Sequence, residues 1–155
     1  MKPLNLFDNS ITKLRALQAN IGRTIYTSTM QPKNLLKALM RCDVAIGAAK
    51  GNNRAPILVN ESMVEQMKPG SVIIDVSINM GGCFETSEIT SHDKPTFVKH
   101  DVIHYCVPNI PARYARTSSV SISNIFTPYL LKIAEDGGIE NSLRFDVGLK
   151  NGLYF

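Results

Sequence analysis

Two kinds of hydrophobic pattern alternate along the chain. Residues 4–7, LNLF, form a short apolar run that predicts a strand. Asn9 or Ser10 then stands where a helix cap belongs, and Ile11, Leu14, Leu17 and Ile21 recur at the spacing of one helical face. Gly22 follows as a stop. Residues 24–28, TIYTS, are β-branched and aromatic and predict a second strand. Behind Pro32, the positions of Leu35, Leu36, Leu39 and Met40 predict a second amphipathic helix. Residues 43–49, DVAIGAA, are small and continuously apolar after the Asp, as in a strand covered on both faces. A polar loop, KGNNRAP, precedes a short helix capped by Asn60 and stopped at Pro69-Gly70. SVIIDVSI, residues 71–78, predicts another buried strand, turned by Gly81-Gly82; VIHYCV, residues 102–107, predicts a last one, closed by PNIP. From about Arg116 to Glu135 a single long helix is expected, kinked at Pro128 and ended by Gly137-Gly138. The tail to Phe155 is helical at best. Strands alternating with helices place the chain in the α/β class, with a doubly wound parallel sheet and helices on both faces.

Composition narrows the setting. At 155 residues the chain fits one domain of common size, and 44% hydrophobic residues are enough for a core. Cys42, Cys83 and Cys106 are odd in number, far apart and without a CxxC pair, which points to a reducing, cytoplasmic compartment and to no metal site. Neither a signal peptide nor an apolar run of membrane-spanning length is visible, so no membrane partner is expected. The net charge of +4 is spread over scattered cations rather than a stripe, which argues against nucleic acid. A basic face that attracts an anionic ligand is compatible with it.

Chemistry in an open parallel sheet gathers beyond the carboxyl ends of the strands. That rule selects Asp8 after the first strand, then Ala48, Ala49 and Lys50 after the third. It adds Ser77, Ile78 and Asn79 after the fourth, and Val107, Pro108 and Asn109 after the last. Asp8 by itself reads first as a helix cap. No GxGxxG occurs anywhere, and GAAKGNNR has the wrong spacing for a phosphate-binding P-loop. His100 and His104, four apart on a predicted strand, share a face but have no third ligand, so a structural role is expected. Thr117, Ser118 and Ser119 read as a helix start rather than as nucleophiles.

The stretches MKPGSVIIDVSINMGGCFETSEITSHDKPTFVKHDVIHYCVPNIPARYARTSS and FDNSITKLRALQANIGRTIYTSTMQPKNLLKALMRCDVAIGA resemble the alanine dehydrogenase branch of the alanine dehydrogenase and nicotinamide nucleotide transhydrogenase family. The resemblance covers essentially the whole chain. It implies an oxidoreductase that interconverts L-alanine and pyruvate with NAD as cofactor, alanine or pyruvate as small-molecule partner, and a homo-oligomer, a hexamer in the family. By motif, Asp8 would hold the adenosine ribose with Lys13 nearby, and Met30 stands where relatives carry a small polar residue. Ala49 and Lys50 would line the adenine side; Val76, Ser77, Ile78 and Asn79 would run under the nicotinamide. Val107, Pro108, Asn109 and Ile110 would complete the pocket. Asn79 departs from the family, which usually has Asp there: an amide cannot move a proton at neutral pH.

The resemblance also implies a Rossmann-like sheet that lacks its first strand and glycine-rich loop. It divides the chain into a partial NAD-binding domain, residues 1–113, and a connecting helix with a C-terminal segment, residues 114–155, that belongs to the family's substrate domain. The chain is thus expected to be an internal or C-terminal fragment of a longer enzyme, inactive alone. The alternatives are a non-catalytic nucleotide-binding or interaction module and an inactive remnant. In the doubly wound order 3-2-1-4-5-6 the absent strand is central. Its loss should leave strands 4–7 and 44–48 either joined directly or open and self-associating.

Overall fold

A computed structural model describes residues 4–22 and 25–152. Two compact units divide the chain, Met1–Pro108 and Asn109–Phe155. The first contains β1 (Asn5–Phe7), α1 (Ile11–Asn20), β2 (Tyr26–Ser28), α2 (Pro32–Leu39), β3 (Val44–Gly47), α3 (Glu61–Val64), β4 (Val72–Asp75), β5 (Thr96–Lys99) and β6 (Val102–Tyr105). Caps fall where short polar side chains predict them. Ser10 Oγ accepts from Lys13 N at the head of α1, and Asn60 Oδ1 accepts from Met63 N at the head of α3. Thr24, within the predicted second strand, lies outside the described residues.

The strands form two sheets rather than one. β1 and β2 make a parallel pair. The other four run in the order β3-β4-β6-β5, with β3, β4 and β6 parallel. The α/β class, the parallel pairing and the long C-terminal helix are as the sequence predicts. Among the described residues β1 and β3 are not joined directly, and the two sheets stay separate.

That separation corrects one expectation. The run 43–49 reads as covered on both faces, yet Val44 is 50% and Ile46 is 66% exposed. A parallel strand is buried only where other elements cover its faces, and its composition does not supply the cover. Along α1, likewise, Leu14 is buried whereas Ile11 and Ile21 are exposed. The core sits instead under β4 and β6, where Ile73, Val64 and Val102 are fully buried together with Phe84, Val59 and Leu39. Each such side chain contributes about 1.5–3 kcal/mol when removed from water.

Two further differences concern the later strands. The predicted strand 71–78 ends at Asp75, and Val76–Met80 is a 3-10 turn closed by Gly81 at φ +88°. β5, which the sequence pattern missed, pairs antiparallel with β6 through a two-residue turn. His100 and Asp101 form that turn, both in the left-handed region at φ 54° and 57°. His100 and His104 therefore do not share a strand face.

The second unit holds a 3-10 turn, Ile110–Tyr114, then α4 (Ala115–Glu135), α5 (Ile139–Phe145) and α6 (Val147–Asn151). Thr117, Ser118 and Ser119 lie in the first turns of α4, where Ser118 Oγ donates to Pro111 O at 2.8 Å. Pro128 is accommodated inside the helix, and Gly137, at φ +77°, follows its end. Among the described residues no helix is long and apolar enough to cross a membrane.

Candidate functional site

The residues selected by the strand-end rule fall into three groups. Asp8, Lys13 and Met30 belong to the β1–β2 sheet. Asp8 follows β1 directly; its N–H donates to Ser28 O, and its Oδ1 accepts from Ser10 N at 2.7 Å. Asp8 is therefore not the helix cap, a role that Ser10 takes; its Oδ1 closes a turn onto the cap residue's N–H. The side chain is half-buried, and among the described residues its Oδ2 accepts no hydrogen bond. Lys13 is exposed in the first turn of α1, and Met30 follows β2 in a half-buried position.

The second group lies at the ends of β3 and β4, and here the structure brings two predicted segments together. Ser77 Oγ donates to Ala49 O at 2.8 Å, tying the loop after β3 to the turn after β4. Ser77 and Ile78 are buried, while Val76 and Asn79, three residues apart, are exposed to solvent. Lys50 is exposed beside Ala49. Ala55 N donates to Met80 O at 2.8 Å and fixes the far end of the same turn.

Val107 and Pro108 form the third group. They follow β6, with Val107 buried at 1% exposure. Asn109 and Ile110 are the first residues of the second unit, and Asn109 adopts the left-handed region at φ 54°.

The sequence reading passed over Asp75. It is fully buried at the end of β4. Its Oδ1 accepts from Ser77 N at 2.9 Å. Its Oδ2 accepts from Cys83 N at 2.8 Å, Phe84 N at 3.3 Å and Ser87 Oγ at 2.8 Å. The Asp–backbone bond two residues ahead is what stops the strand and starts the turn. A charged residue inside SVIIDVSI was the available signal, because a buried carboxylate must be fully hydrogen-bonded. Nearby, burial and then the Asp75 charge push the Cys83 thiol up to about 11, which leaves it unreactive.

His104 and His100 make structural contacts. His104 is fully buried; its Nδ1 lies 3.0 Å from Val102 O, its Nε2 lies 2.8 Å from Thr86 Oγ1, and its ring stacks on Phe97. His100 Nε2 lies 2.7 Å from Glu61 Oε1, which also pairs with Lys99 at 2.9 Å. Among the described residues no three His, Cys, Asp or Glu side chains form a metal-holding group. A cleft of about 430 Å³ lies against β5, lined by Glu88, Lys94, Thr96 and Phe97, and none of the strand-end residues borders it.

Parallel strands whose connecting loops follow their carboxyl ends define an α/β protein, the class in which ligands sit beyond those ends. Comparison with known proteins makes this specific. The family described as "Alanine dehydrogenase/PNT, C-terminal domain" matches residues 3–155, and the chain belongs to it. It is 41% identical to the alanine dehydrogenase of Bacillus subtilis (strain 168) over 97% of its own length. It is 40% identical to that of Mycobacterium tuberculosis (strain ATCC 25618 / H37Rv), also over 97%. The chain spans 40% of the length of each of these relatives. A solved L-alanine dehydrogenase superposes on 99% of the chain with a TM-score of 0.89 at 36% identity, the chain covering 42% of that structure. A transhydrogenase from Sinorhizobium meliloti shares the fold, with a TM-score of 0.70 at 22% identity over 84% of this chain and 37% of that one.

Proposed function

We propose that this chain is the greater part of the NAD-binding domain of an NAD-dependent alanine dehydrogenase. On this reading residues 1–113 serve the cofactor, and residues 114–155 belong with the substrate domain. The observation that carries it is the Ser77–Ala49 bond, which joins two strand-end loops into one surface within a chain of this family. The reaction is L-alanine, NAD⁺ and water giving pyruvate, ammonium, NADH and a proton. When bound, NAD supplies the hydride acceptor; the protein supplies positioning and electrostatics.

The residues fit the two ends of a dinucleotide. Asp8 Oδ2 is an acceptor suited to ribose hydroxyls, and Lys13 adds a cation in the first turn of α1. Val76 and Asn79 face solvent from a turn pinned at both ends, so they would lie against the nicotinamide. Ala49, Lys50, Val107 and Pro108 would line the remainder. No glycine-rich phosphate cradle is in the sequence, so the pyrophosphate lacks its helix N-terminus from this chain. Asn79 can donate and accept hydrogen bonds and so orient a bound group, but it cannot take or give a proton. That amide favours a second reading, a nucleotide-binding module without catalysis.

The isolated chain should bind NAD no more tightly than about 1 mM, near −4 kcal/mol, and should form no NADH from alanine. Titration calorimetry and an NADH absorbance assay test both. Micromolar binding would overturn the argument about the missing phosphate cradle. Grafting the chain into the matching part of a relative, with Asn79 or with Asn79→Asp, separates the two readings. Activity only with Asp favours the module; equal activity with Asn shows that a carboxylate is dispensable there; no NAD binding in either graft refutes the proposal.

A further inference from the structure

We propose that Asp75 is a positioning residue for the nicotinamide end of the site, and this rests on the cofactor reading above. The carboxylate reaches no solvent, so it contacts no ligand. It acts through what it holds. Oδ1 fixes the N–H of Ser77, the first tight bond of the turn Val76–Met80 on which Asn79 rides. Oδ2 gathers Cys83 N, Phe84 N and Ser87 Oγ from the returning segment. One side chain thereby clamps the strand end, the turn and the segment behind it. Gly82 shows how closely the parts fit: it sits at φ +74°, and a Cβ there would lie 2.8 Å from Asp75 Oδ2. Ser77 in turn grips Ala49 O, so displacement of the turn also displaces the loop after β3.

The geometry predicts what an amide would do. Asp75→Asn keeps the volume but replaces one acceptor oxygen by an NH₂ group. With the NH₂ in the place of Oδ1 the Ser77 N–H loses its acceptor; with it in the place of Oδ2 the N–H groups of Cys83 and Phe84 lose theirs. The turn must then shift, and the nicotinamide contacts shift with it. The ribose contact at Asp8 belongs to the other sheet and is untouched.

That separation gives the test. Backbone amide shifts of the 155-residue chain are followed in titrations with NAD⁺ and with ADP-ribose, which lacks the nicotinamide. In the wild type, both ligands should move Asp8 and Lys13, and NAD⁺ alone should move Val76 to Asn79. In Asp75→Asn the ADP-ribose shifts should persist, while the NAD⁺-specific shifts at 76–79 fall at least fivefold. A general structural defect would weaken both ligands alike. Should Asp75→Asn not fold, Ser87→Ala removes a single bond to Oδ2 and should halve the NAD⁺-specific shifts. Undiminished NAD⁺-specific shifts in the folded variant, or parallel loss of both ligands, overturns the positioning role while leaving the cofactor reading intact. A wild-type chain in which NAD⁺ moves none of residues 76–79 overturns the cofactor reading itself, and the positioning role with it.

Discussion

Replacing Thr86 by Val tests the account of the buried histidine. Thr86 is 1% and His104 is 0% exposed, and their Oγ1···Nε2 distance is 2.8 Å. With Nδ1 donating its hydrogen to Val102 O at 3.0 Å, Nε2 is left as the acceptor of the Thr86 hydroxyl. Valine keeps the shape and removes the donor, so a buried nitrogen is left without a partner. Such a loss costs about 1–3 kcal/mol. With a urea dependence of about 2 kcal/mol per molar for a protein of this size, the unfolding midpoint should fall by about 1 M. Urea titration at pH 7.5 measures it, and ring-nitrogen NMR checks that the hydrogen sits on Nδ1. A midpoint lowered by less than about 0.2 M, or a hydrogen found on Nε2, would refute the reasoning. Burial depresses the His104 pKa below its ordinary 6.5, although the Val102 carbonyl opposes this. The unfolded chain therefore takes up a proton at higher pH than the folded one. The stability that His104 contributes is complete above pH 6.5 and is lost as the pH falls through its lower folded value. Replacing His104 by an apolar residue should flatten that part of the stability profile.

Two further perturbations address the backbone and the open sheet. Gly82→Ala, which meets both positive φ and the Asp75 carboxylate, should destabilise the chain by clearly more than Gly22→Ala. Gly22 has φ +59° but open space around a Cβ, so alanine there costs only about 1 kcal/mol; paired thermal melts compare them, and equal losses would contradict the close-contact argument. Ile46→Lys should leave the melting temperature within a few degrees, because Ile46 is 66% exposed, and should reduce association through the β3 side of the sheet. Sedimentation velocity of the two proteins at several concentrations decides, and association unchanged by the lysine would exclude this surface.

What could be read from sequence was whatever neighbouring residues determine. The caps at Ser10 and Asn60 and the stop at Gly22 are set within four residues, and they appear as predicted. Membership of the α/β class followed from periodicity alone. The errors arose where distant partners decide. Residues 43–49 carry the composition of a covered strand, but the cover for Val44 and Ile46 is not in the described residues. β5 escaped because its turn uses His100 and Asp101 at positive φ, where glycine or asparagine is the usual mark. The end of β4 escaped because the Asp75 side chain, rather than a glycine, breaks the strand. Of the site, the strand-end residues were legible from the rule for parallel sheets. The clamp behind them was not, since Cys83, Phe84 and Ser87 lie eight to twelve residues downstream.

The strand order also dictates a sequence of assembly. β5 and β6 are separated by two residues, so their antiparallel pairing is a local event that hairpins complete in about 1–10 μs. β4 needs partners on both sides, one made before it and one made well after it. As the chain leaves the ribosome, β3 and β4 have emerged long before Val102–Tyr105 exists to flank them. β4, one of the two inner strands of the larger sheet, therefore has only one of its two neighbours until the hairpin from the far end has been made. Synthesis runs from amino to carboxyl terminus, and the inner strand made first must be flanked by a strand made last.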